Sequence, residues 1–251
     1  MNVSRLLRLS WRPPLAAITA AVLIAFTAAW YGWLGIPDST GFYLALQAVA
    51  ALALLALVAW FYAGLVRVLA DRSQGEEACL GELWRPGKRL WLTAVVLLVV
   101  LVLALFCVGW IEDQCLHVIW KVPSWLTYKL NHPVPIPPFV KAVQIIFAYA
   151  TWGVLPALAT MILAARRRNG GLWPGWRIAH RRWLWGATAV ILIVLEYLPW
   201  RLAHWVPAMH SAVGELFSAI VRVGSAWILA VLGLLLLMAV WVGAVERREP
   251  K

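Results

Sequence analysis

The side chains of this chain that are able to do chemistry fall into two groups. Four histidines, His117, His132, His204 and His210, lie between long apolar runs, and Glu112, Asp113 and Cys115 are close to the first of them. Imidazoles and carboxylates together suit general acid/base work or a metal ion. No two of these histidines stand four residues apart, however, and Pro207 separates His204 from His210. An interfacial role accounts for them as well as a site does.

The second group lies inside the apolar runs. Glu196, Arg222, Gln47 and Gln144 are polar residues where a membrane span is expected, and such groups are costly to place in hydrocarbon. Gln47, Gln144 and Arg222 each fall a few residues into the second run of a pair. Glu196 and Arg222 are expected at depths where they would meet across the last pair. Two roles fit: a polar cluster that binds or gates, or an ion pair with glutamines bonding between helices.

Other chemistries lack their residues. No GxxxxGK[ST] phosphate loop is present, no HExxH or aspartate pair lies in a span, and no histidines lie in facing spans to hold a haem. Cys79, Cys107 and Cys115 form no CxxC and are odd in number. No cofactor and no metal site is implied.

The elements that must position these residues are membrane helices. Of 251 residues, 63% are hydrophobic and 13% charged, against about 25% charged in a soluble domain. Mean hydropathy is +0.80. The expected fold is an all-α integral membrane protein forming one polytopic domain over 1–251, with spans near 15–36, 42–69, 90–111, 139–165, 184–200 and 216–245. The first run is too long for a signal peptide and is expected to remain as a span. Pro156 is expected to kink the fourth span, Arg67 to snorkel from the end of the second, and 71–89 to form a short surface helix. The outer loop 112–138 is expected to hold an interfacial segment, as a helix in preference to a paired strand, before the prolines of 131–138.

Charge sets the orientation. Seventeen of the 22 Lys and Arg fall at the N-terminus, in 67–89, in 166–182 and at the C-terminus, and only five in the alternate segments. The positive-inside rule then puts both termini in the cytoplasm, with six spans in three outward-pointing hairpins, in a bacterial plasma (inner) membrane. The net charge of +11 is explained by anionic lipid at the basic inner loops, with no nucleic acid as partner.

Each hairpin is preceded by a similar segment: Trp11-Arg12-Pro13, Trp84-Arg85-Pro86, and Trp173-Pro174-Gly175-Trp176-Arg177. A tandem triplication explains their spacing, and so does a topology that wants Arg and Trp before every outward helix. The expected function is a non-enzymatic transport component or a scaffold subunit of a membrane complex, with protein partners or a homo-oligomer. The alternative is an enzyme acting on a lipid-linked substrate at the outer face through His117, His132, His204 or His210 with Glu112 or Asp113.

Overall fold

A computed structural model describes residues 10–37, 39–75, 79–119, 121–131, 137–169, 178–205 and 211–246, and they are all-helical, with no strand among them. The N-terminal segment before 10, His132, His210 and the basic loop 170–177 with its Trp-Pro-Gly-Trp-Arg lie outside the described residues.

Helix α1, Pro13–Leu34, starts on two prolines, whose missing N–H groups cost nothing in a first turn. Helix α2, Gly41–Gln74, is capped by Thr40, whose hydroxyl accepts from the Tyr43 amide at 3.4 Å, and ends on Gly75 at φ 93°. That left-handed conformation is one glycine adopts without strain. Helix α3 is Lys88–Ile119 and α4 is Lys121–Leu130. Helix α5 runs through Pro137–Tyr149, a π turn at Ala150–Val154, and Leu155–Asn169. Helix α6 repeats that design in Arg182–Leu192, a π turn at Ile193–Tyr197, and Leu198–His204. Helix α7 is Ala212–Glu246. Six of these helices are long and apolar enough to cross a membrane.

Several boundaries differ from the sequence expectation. No break follows Ile111: α3 continues past Glu112 and Asp113 because nothing in 112–119 stops a helix, and α4 supplies the expected helical segment. Segment 80–84 is a 3-10 turn packed inward, with Leu83 fully buried against Gly64. A Cβ at Gly64 would stand 1.9 Å from the Leu83 carbonyl oxygen, so only glycine admits this approach. The expected surface helix there is therefore corrected to a strap across α2.

Pro156 and Pro199 act alike. Each follows a leucine that ends a π turn, and the Leu155 and Leu198 amides bond to Ala150 and Ile193, five residues back. A proline has no N–H for the carbonyl four residues behind it and clashes with that carbonyl, so the turn before it widens.

The packing is cyclic. Helices α2, α5 and α7 all touch one another; α1 lies against α2 and α7, α3 against α2 and α5, and α6 against α5 and α7. The apolar core is concentrated in the C-terminal parts of the central three, near 59–70, 157–165 and 231–245. Their N-terminal halves are largely exposed, as at Phe42, Ile145 and Phe217.

Candidate functional site

Where α2, α5 and α7 converge, each contributes a charge. The Arg167 guanidinium reaches Asp71 of α2 and Glu246 of α7, the latter at 3.1 Å. Both acids are shut from solvent, with side chains 8% and 3% exposed. Gln74 donates to Glu246 at 2.6 Å, and Arg168 donates to the Val245 carbonyl. Arg67 pairs with Asp71 at 3.8 Å and Glu82 at 3.3 Å and donates to the Arg85 carbonyl, so it ties the strap to α2 instead of simply snorkelling.

The polar residues near the starts of these helices do something different. Gln47 Nε2 donates to the Ile36 carbonyl at 2.6 Å, beyond the end of α1, while Trp33 donates to the Gln47 carbonyl at 2.9 Å. Arg222 donates to the carbonyls of Ala203 and Trp205, at the end of α6. Both side chains fasten a connection by satisfying carbonyls that a helix end leaves without partners. Gln144 is exposed, and the segment it would fasten, 132–136, lies outside the described residues. These residues do not cluster.

Twenty-four residues separate Gln47 from Asp71, Gln144 from Arg168 and Arg222 from Glu246. That interval is about 36 Å of helix, slightly more than the roughly 30 Å of bilayer hydrocarbon. The polar residues therefore bracket an apolar stretch in each central helix.

Glu196 stands apart from both levels. It does not meet Arg222, which is occupied at the end of α6; its side chain lies in the π turn of α6 against Gly233 of α7. A Cβ at Gly233 would fall 2.9 Å from the Leu195 Cβ and 3.0 Å from Glu196 Oε1. Pro199 withdraws the usual donor from the Leu195 carbonyl, whose oxygen would stand 3.6 Å from that same Cβ. Among the described residues no ion pair or hydrogen bond reaches the Glu196 carboxylate. About two turns towards the charged end, Trp241 donates to Thr188 at 3.0 Å and packs edge-on against Trp185 at 4.8 Å. Gly153, in the other π turn, receives Leu192 and Thr188.

Of the outer-loop candidates, His117 stands 3.6 Å from Asp113 on one face of α3, with both side chains largely exposed. His204 stacks on Trp200 at 4.3 Å and its Nδ1 lies 2.8 Å from the Trp200 carbonyl. Glu112 is half-buried and turned from this pair. No group of three or more His, Cys, Asp or Glu fit to hold a metal occurs among the described residues.

Asp71, Arg167 and Glu246 are the residues that sequence reasoning missed. Arg167 was absorbed into a basic loop, yet Asp71 and Glu246 carried a signal: acids closing apolar helices at a basic end, each followed directly by arginine. No protein-family model, curated protein or solved structure matches this chain.

Proposed function

We propose that this chain is a non-enzymatic transport component of a membrane, with Glu196 as its ion-responsive group. The observation that carries this reading is a carboxylate without a partner among the described residues, inside an apolar span, at a π turn, facing a glycine. Its level on α7, Gly233, is eleven residues from Arg222 and thirteen from Glu246. Those intervals are about 16 and 20 Å of helix, close to the bilayer midplane. Ionisable groups there mark ion and proton paths, and π turns recur at functional positions. The Glu196 carboxylate with the Leu195 carbonyl offers three oxygens to a proton or a small cation.

The same reading places both termini in the cytoplasm of a bacterial inner membrane, with the Asp71–Arg167–Glu246 junction on the inner side. It makes the chain three tandem copies of one outward-pointing hairpin. The cyclic packing supports this, as do the equivalent fastenings by Gln47 and Arg222 and the common 24-residue interval. A second reading, an accessory subunit of a larger complex or a homo-oligomer, is favoured by the exposed apolar N-terminal halves of α2, α5 and α7.

Reconstitution into proteoliposomes holding a pH-sensitive dye separates these readings. Transport through this chain predicts a potential-driven pH change that Glu196→Gln abolishes and Glu196→Asp partly retains. A flat trace for the chain alone, with a stoichiometric protein partner found after mild-detergent purification, supports the accessory subunit instead. For the outer-face enzyme, unchanged cellular activity after His117→Ala and His204→Ala removes its described histidines, and Glu112→Ala with Asp113→Ala removes its acids.

A further inference from the structure

The seam between α6 and α7 is tight on one side of Glu196 and looser on the other. Arg222, Ala226, Leu229, Gly233, Leu237 and Val240 follow one another at intervals of three and four residues, so they share the face of α7 that meets α6. Towards the charged junction that face is buried at Leu237 and Val240, and α6 answers with Leu184, Thr188 and Ile191, buried as well. Towards Arg222 it is only half-buried at Leu229 and Ala226, as is Ala203 of α6, and Trp200 is exposed.

On the tight side lies a latch. Trp241, fully buried, donates to the hydroxyl of the equally buried Thr188 at 3.0 Å. The Thr188 methyl faces Gly153 in the π turn of α5. The Trp241 ring packs against Trp185, whose carbonyl accepts from Tyr149 of α5 at 2.9 Å and whose indole donates to the Ala179 carbonyl at 2.8 Å. Three helices and the connection before α6 thus close around one indole. Trp241 is eight residues from Gly233 and five from Glu246, about 12 and 7.5 Å along α7. It separates the level of Glu196 from the ionised junction. No other charge stands between: α7 has none from 223 to 245, α5 none from 142 to 165, and α6 carries Glu196 alone from 183 to 200. The other titratable groups of these stretches are Tyr149, bonded to Trp185, and the exposed Tyr197.

A carboxylate that carries ions across a membrane has to meet one face at a time, since contact with both at once dissipates the gradient. We propose that the Trp241–Thr188 hydrogen bond latches a gate on the junction side of Glu196. Latched, it leaves Glu196 to exchange protons with the Arg222 side alone, and release of the indole admits the junction side. This rests on Glu196 being the ion-responsive group.

Right-side-out and inverted membrane vesicles expose opposite faces, and Glu196 is labelled in each with a lipid-soluble carbodiimide, which takes carboxyls in the protonated form. A carboxyl above its midpoint loses about tenfold of that form per pH unit. Labelling of the native protein is therefore expected to fall by up to about tenfold per unit when the buffer on the Arg222 side is made alkaline, and to stay unchanged when the junction side is. Trp241→Phe, which removes the donor, and Thr188→Val, which keeps the shape and removes the acceptor, should each make labelling follow both buffers. Thr188→Ser, which keeps the hydroxyl, should retain the native pattern. Thr188→Val keeps the test open if Trp241→Phe fails to fold. Native labelling that follows the junction-side buffer or neither buffer, or native sidedness in both latch variants, overturns the gate alone. Glu196 unlabelled at every pH on both sides overturns the ion-responsive reading and the gate with it.

Discussion

Arg167→Ala tests whether the charged junction holds the three central helices together. In the native protein the Arg167 guanidinium spans Asp71 and Glu246, whose side chains are 8% and 3% exposed. Its removal leaves Asp71 with Arg67 at 3.8 Å and Glu246 with the Gln74 amide alone. Breaking a buried ion pair by deleting one partner costs about 3–5 kcal/mol, because the surviving charge stays desolvated. Two carboxylates survive here, but Arg167 itself is 22% exposed and Arg67 compensates in part, so the same range is expected. Arg167→Lys keeps the charge and loses the two-armed contact, at a cost of about 1.5–3 kcal/mol. Exposed Lys141→Ala should fall within about 0.5 kcal/mol of the native protein. Unfolding in mixed micelles with increasing sodium dodecyl sulfate, followed by tryptophan fluorescence, measures each. Asp71→Asn and Arg167→Ala should also be non-additive, since they remove one interaction. A loss under about 1 kcal/mol for Arg167→Ala, or strict additivity with Asp71→Asn, refutes the structural role of the junction.

Three further outcomes are expected. Gly64→Ala forces the 80–84 strap off α2 and should cost about 1–3 kcal/mol in the same assay, whereas Gly186→Ala, with open space around it, should be tolerated. Gln47→Leu should lose about 1 kcal/mol with its bond to Ile36, and Arg222→Leu more than that because a charged donor is removed; equal tolerance of both would show that the connections need no fastening. In sealed right-side-out vesicles, an impermeant maleimide should spare Cys79 and label a single-cysteine variant retaining Cys115; the reverse pattern inverts the topology.

Much of the fold was legible because a span announces itself by length and apolarity, as in α3, which has no charge from Leu90 to Ile111. The ends were less legible. Glu112 and Asp113 look like a boundary but do not stop a helix, and α3 runs through them to Ile119. Pro156 was visible as a disturbance, whereas Pro199 read only as lying at the end of a span, and the widened turns they produce depend on what packs beside them. The candidate site was legible one residue at a time. Glu196 stood out as an acid in an apolar run, but its neighbour is fixed by the register between α6 and α7, which brings Gly233 and not Arg222 to it. Gln47 and Arg222 were recognised as equivalent positions, while their shared task as fastenings required the loop carbonyls to be in view. Asp71 and Glu246 were hidden by their surroundings, since a charge at the end of a span reads as solvated until three such ends are brought together.

Glu196 as a protonatable group held at the bilayer midplane is the centre of the functional account, and a hydrophobic carbodiimide addresses it directly. The reagent partitions into lipid and modifies carboxyl groups in their protonated form, so peptide mass spectrometry of labelled membranes should find Glu196 modified. Labelling should decrease as the pH is raised, and Gly233→Ala, which crowds Oε1, should alter its rate. Modification confined to Glu112, Glu215 and other acids outside the spans, with Glu196 untouched at every pH, would contradict it.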